Sequence, residues 1–135
     1  MANPRYVYED KWGGIIDHPD SGALEIRWYD ATADMTAADF NAFLGEYAGQ
    51  VEKTGRTAAL VDAIQFKMPM ERMSTGWRDE NIVPRYNKAG MQKFAFVMPA
   101  GMPAIGKDPA PEGPADFPTA YFGTRATALS WLTAR

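Results

Sequence analysis

The chain has 135 residues, 46% hydrophobic and 13% aromatic, which is material for one compact domain over residues 1–135. A net charge of -3, with Lys and Arg scattered singly, argues against nucleic acid as a partner. The absence of cysteine excludes disulfides, thiolate metal sites and thiol nucleophiles, and a single histidine, His18, excludes multi-histidine metal sites.

The opening MANPRYVYEDKWGG lacks the basic start and apolar core of a signal peptide, and no apolar run approaches the roughly 18 residues of a membrane span. The expectation is a cytoplasmic protein with no membrane span. Tyr6 to Glu9 predicts a short strand. Gly13-Gly14 then opens Ile15-Ile16-Asp17-His18, and HPDSG is dense in turn residues. Beyond it Leu24, Ile26 and Trp28 alternate with Glu25, Arg27 and Tyr29, the period of a half-buried strand. Together these predict an antiparallel hairpin.

A helix follows. Thr36 can cap it, with Asp39 completing a capping box, and Phe40, Phe43, Leu44, Tyr47 and Val51 form one apolar stripe. Gly55 is placed to end it. Gly45 and Gly49 lie four apart, which suggests close packing of the helix on a sheet. Asp30 and Asp34 are expected to flank the helix start, where the dipole favours negative charge. Ala58-Ala59-Leu60-Val61 is a continuous apolar run, as in a parallel strand covered on both faces, and Asp62 closes it. From about Pro69 the sequence predicts a second helix with Met70, Met73 and Trp77 on one face. Pro84 interrupts it, and a further helical piece ends at Gly90. Phe94-Ala95-Phe96-Val97-Met98 is another buried-strand candidate. Residues 99 to 118 hold six of the ten prolines, and a loop of this length in a small domain is commonly functional or mobile. A strand over Thr119 to Phe122 and a helix over Thr124 to Ala134 close the chain. The predicted fold is α/β: a mixed sheet with an antiparallel N-terminal hairpin and parallel later strands, packed by three to four helices.

The second half carries a resemblance. A strand ends in Val61-Asp62, a helix carries Trp77 and ends in Ala89-Gly90, a strand reads Lys93-Phe94-Ala95-Phe96-Val97, and the chain closes with Ala128-Leu129-Ser130-Trp131-Leu132. This pattern resembles the STAS-like (SpoIIAA-like) group of small bacterial domains related to anti-sigma factor antagonists. The resemblance implies a non-catalytic regulatory or binding domain. In antagonists of that kind a phosphorylated serine opens the helix after the strand that Val61-Asp62 would match. Here that place holds Met70, Glu71, Arg72 and Met73, with Ser74 and Thr75 about a turn later. Other members of the group are thought to bind lipid-like ligands.

Two functional readings result. In the first, the domain binds an apolar, lipid-like small molecule or a protein partner, through Phe66, Met68, Met70, Trp77 and Asp62 beneath the 99–118 loop. Ligands collect at the carboxyl ends of parallel strands, and methionine suits adaptable apolar pockets. The plain alternative is that Met70, Met73 and Trp77 pack on the sheet and Asp62 accepts hydrogen bonds from the following turn. Trp77, Arg78 and Arg85 could also line an anion pocket. In the second reading Ser74 or Thr75 is a phosphorylated switch. No cofactor or metal is expected, and no phosphate loop or nucleophile elbow occurs. Aromatic residues in the N-terminal hairpin make a homodimer conceivable.

Overall fold

The computed structural model describes residues 3–73, 76–99 and 108–134, except for the Met70 side chain. Ser74, Thr75 and residues 100–107 of the Pro-rich segment therefore lie outside the described residues, and with them the candidate phosphorylation sites and part of the 99–118 loop. Seven strands form one sheet: β1 (Arg5–Glu9), β2 (Gly13–His18), β3 (Ala23–Trp28), β4 (Ala58–Asp62), β5 (Lys93–Val97), β6 (Ala110–Pro111) and β7 (Pro118–Phe122). Their spatial order is β1-β2-β3-β4-β5-β7-β6. The β1, β2 and β3 pairings are antiparallel, β3 through β5 to β7 are parallel, and β6 returns antiparallel on β7. This is the mixed α/β sheet that the sequence predicts, with the hairpin turning at His18 to Gly22.

The helices are α1 (Ala37–Thr54), α2 (Trp77–Asn81), α3 (Val83–Ala89) and α4 (Arg125–Thr133). Thr36 and Asp39 form the predicted capping box, and Gly55 closes α1 in the left-handed conformation. Alternation along each strand divides the core in two. Leu24, Ile26, Trp28, Ala59, Val61 and Phe94 face the α1 side, with Phe43, Tyr47 and Tyr86 packed on them. Ala23, Ala58, Leu60, Ala95 and Val97 face the other side, under Ala128 and Leu132 of α4. Tyr47 crosses the core to donate to the Leu24 carbonyl at 2.7 Å.

Three local expectations are corrected. The helix predicted from Pro69 is broken: a 3-10 turn over Met70–Arg72 is followed by the separate α2, whose first flanking residue, Gly76, has φ 78. A left-handed residue interrupts the helical hydrogen-bond ladder, so Met73 and Trp77 are not successive positions of one helix face. Asp30 and Asp34 do not simply flank α1 but bound a 3-10 helix of their own. Gly45 does not pack closely, since a Cβ there would meet nothing within 4 Å.

Candidate functional site

Strand register builds a slot at the carboxyl edge of the parallel strands. Ile26, Val61, Phe96 and Tyr121 stand side by side across β3, β4, β5 and β7. Two residues further along their strands come Trp28, Ala63 and Met98. The middle strand thus contributes the small side chains, Val61 and Ala63, between aromatic neighbours. Trp28 stacks on Phe40 of α1 at 5.6 Å and 19°, forming one wall. Phe96 stacks on Tyr121 at 5.2 Å and 12°, forming the other. Phe66 closes one end, edge-on to Trp28 at 5.2 Å and to Phe40 at 5.9 Å. Its segment is fixed because the Lys67 amide donates to the buried Thr32 hydroxyl at 2.8 Å. The space between them is about 250 Å³ and open on one side, its lining side chains carry no charge, and Met73 and Met98 complete it.

A second compartment of about 210 Å³ adjoins the slot through Trp28, Phe40, Val61, Phe96 and Tyr121, and extends to Arg78, Tyr86 and Glu112. Together the two fall in the range of roughly 300–1,000 Å³ common to small-molecule sites. The Arg78 guanidinium carbon lies 5.2 Å from the Phe94 ring centroid and 5.8 Å from that of Tyr86. None of the ion pairs among the described residues involves Arg78. The Tyr86 phenol oxygen is buried and has no hydrogen-bond partner among them. Burial pushes that phenol well above its ordinary pKa, against the nearby charges of Arg78 and Arg85, so it stays protonated. Tyr121 donates to Glu112 at 2.7 and 2.8 Å to its two oxygens. Burial, followed by this bond, raises the Tyr121 phenol in the same way. The segment carrying Glu112 is tied down at Asn87, which donates to the Pro114 carbonyl and accepts from the Asp116 amide, both at 2.9 Å.

The opposite face of the sheet holds a charged cluster. Glu25 is fully buried there. It binds Arg125 at 2.6 and 2.9 Å, His18 at 2.6 Å and Arg27 at 3.1 Å. Arg125 also donates to Asp62 at 3.0 Å, which fastens the first turn of α4 to β3 and β4. Burial alone would raise the Glu25 carboxyl, but hydrogen bonds from His18 and Arg125, the Arg125 charge and the Arg27 bond outweigh it and hold the pKa at about 2. A nearby hollow of about 310 Å³ between the HPDSG turn and α4 is lined by short mixed side chains, with His18, already engaged by Glu25, at its edge. Among the described residues no group of three or more His, Asp or Glu side chains could hold a metal ion.

Of the side chains expected to bind ligand, Phe66 lines the slot. Met68 is buried in the core and Trp77 packs against it, half-exposed, outside the slot lining. Asp62 faces away, toward Arg125, with its other oxygen accepting from the Ile64 amide at 3.2 Å. The Met70 side chain lies outside the described set. Of the two arginines considered for an anion pocket, Arg78 lines the second compartment, whereas Arg85 is committed to Glu52 at 2.6 and 3.0 Å. Sequence reasoning missed Trp28, Phe40, Phe96 and Tyr121 as site residues. Each reads as an ordinary core position, and only the strand order leaves a gap between them. No described helix is long and apolar enough to cross a membrane. The chain matches no protein-family model, no curated protein and no solved structure.

Proposed function

We propose that the chain is a non-catalytic, cytoplasmic binding domain of the STAS-like kind whose aromatic slot takes a small apolar ligand. The observation that carries this reading is the unfilled space between two stacked aromatic pairs over Val61 and Ala63. Cores are otherwise close-packed, so a gap framed by rings, open at the carboxyl edge of a parallel sheet, is the natural place for a guest. Methionines at its rim give the walls the freedom to adjust. The STAS-like assignment rests on the order of elements together with the residue pattern of the second half.

Solvent extraction of the purified protein followed by mass spectrometry tests the reading, together with calorimetric titration of the extracted protein with neutral probes such as decanamide and 2-naphthamide. A retained apolar compound, or saturable binding of a neutral probe that Ala63→Leu removes without loss of fold, is expected. Failure of every neutral and acidic probe to bind, with nothing extracted, sinks it.

A further inference from the structure

The slot and its adjoining compartment differ in chemistry, and the difference specifies the guest. The slot offers rings, methionines and the small side chains Val61 and Ala63. The compartment behind it adds one guanidinium and one phenol that have no hydrogen-bond or ion-pair partner among the described residues. The Arg78 guanidinium lies over the Phe94 and Tyr86 rings. A ring face attracts a cation but does not take up its fork of N–H donors as a carboxylate does. Tyr86 is an independent witness, because a buried hydroxyl left unpaired costs about 1–3 kcal/mol, and such orphans are uncommon in folded proteins. An acceptor brought into this compartment would satisfy both donors.

The charge count narrows the acceptor further. Glu112 shares the compartment with Arg78 and is bonded to Tyr121. The two protein charges therefore sum to zero before a guest arrives. A dianion such as a phosphate monoester would meet Glu112 with only one arginine to offset it. A carboxylate adds a single charge, and its two oxygens match the guanidinium fork. Resting on the reading above, we propose that the guest is a small amphipathic monocarboxylic acid. Its apolar body, an alkyl chain or a flat ring system, lies between the Trp28–Phe40 and Phe96–Tyr121 walls. Its carboxylate is held by Arg78 and by the Tyr86 hydroxyl.

Calorimetric titration of the extracted protein with decanoate and 2-naphthoate, each beside its neutral amide, tests this. The acids are expected to bind about tenfold or more tightly than the amides, the size of a charge-assisted hydrogen-bond pair. Arg78→Met should erase that preference and Tyr86→Phe should reduce it several-fold, the acid losing more affinity than its amide in each variant because the amide carbonyl accepts the same donors without a charge. Circular dichroism and a thermal melt of each variant establish that it is folded, and the wild-type acid-to-amide ratio decides the matter if one is not. Equal binding of acid and amide overturns the carboxylate inference and leaves the apolar-ligand reading standing. An acid preference that survives Arg78→Met removes Arg78 from the site and overturns the inference as well. If neither acids nor amides bind, the reading itself fails, and the inference with it.

Discussion

Under α4, every buried charge has company: Glu25 is shared among Arg125, His18 and Arg27, and Asp62 between Arg125 and a backbone amide. Under α1, through the same sheet, Arg78 lies over two rings and Tyr86 keeps its hydroxyl, and among the described residues neither has a hydrogen-bond or ion-pair partner. Burial makes both kinds of group expensive, and what differs is whether the chain supplies the partner. The α4 side is complete in itself and behaves as a clamp. The α1 side leaves donors that the proposed guest would complete. Polar satisfaction, more than cavity size, marks it as the candidate binding region, since the hollow beside α4 is larger than the aromatic slot.

The strongest way to break that comparison is to open the clamp. Arg125→Met leaves Glu25 buried with His18 and Arg27 and should lower the unfolding free energy by about 3 kcal/mol, as removal of one member of a buried ion pair does. Urea denaturation measures it. Adding Glu25→Leu should restore part of the loss, because the uncompensated charge goes with it. A double variant less stable than Arg125→Met alone would show that the cluster contributes more than charge compensation.

Acid titration probes the same clamp without mutation. The Glu25 carboxyl lies below its ordinary 4.5, at about 2, in the folded state. As pH falls the unfolded chain therefore binds this proton first. Its contribution is complete above pH 4.5 and drains away toward pH 2. The loss amounts to about 3 kcal/mol over that window. Asp17, lowered by its bond from Arg56, adds to the same limb. In Glu25→Gln the limb should be visibly flatter; an unchanged slope would mean that the carboxylate is not held as its contacts indicate.

The α1 side should answer with the opposite sign. Tyr86→Phe removes a hydroxyl with no partner among the described residues, so the ligand-free protein should gain up to about 1 kcal/mol. A loss of that size would mean that the phenol is bonded in solution. The smallest effect belongs to neither side. Gly45, in the middle of α1 with open space around it, should tolerate Gly45→Ala with a gain of about 0.5–1 kcal/mol, read as a rise in melting temperature.

Much of this architecture was legible in the residues. The hairpin, α1 with both of its caps, and β4 as a strand covered on two sides follow from periodicity and turn chemistry, all of which are local. What escaped was non-local. Glu25 alternates with Leu24 and Ile26, so it reads as the wet side of a half-buried strand, yet it is fully buried because Arg125, a hundred residues later, comes down on it. Phe66 lines the slot, whereas the slot's walls come from β3, β5, β7 and α1, whose adjacency no local pattern encodes. The break at Gly76 also escaped, because apolar residues spaced by three and four look the same whether or not the backbone between them is continuous.

Alternation on β3 and β4 makes the pairing of these strands self-checking. Leu24, Glu25 and Ile26, like Val61 and Asp62, place a carboxylate one step away from an apolar side chain on the opposite face. A slip of one residue would turn Glu25 and Asp62 into the aromatic slot and bring Ile26 and Val61 beneath Arg125. Glu25 and Asp62 would then lose the donors that hold them now, and Arg125 would face apolar side chains. The ionic clamp therefore does more than hold a helix: it disfavours the misaligned sheets that the apolar runs of these strands would otherwise tolerate.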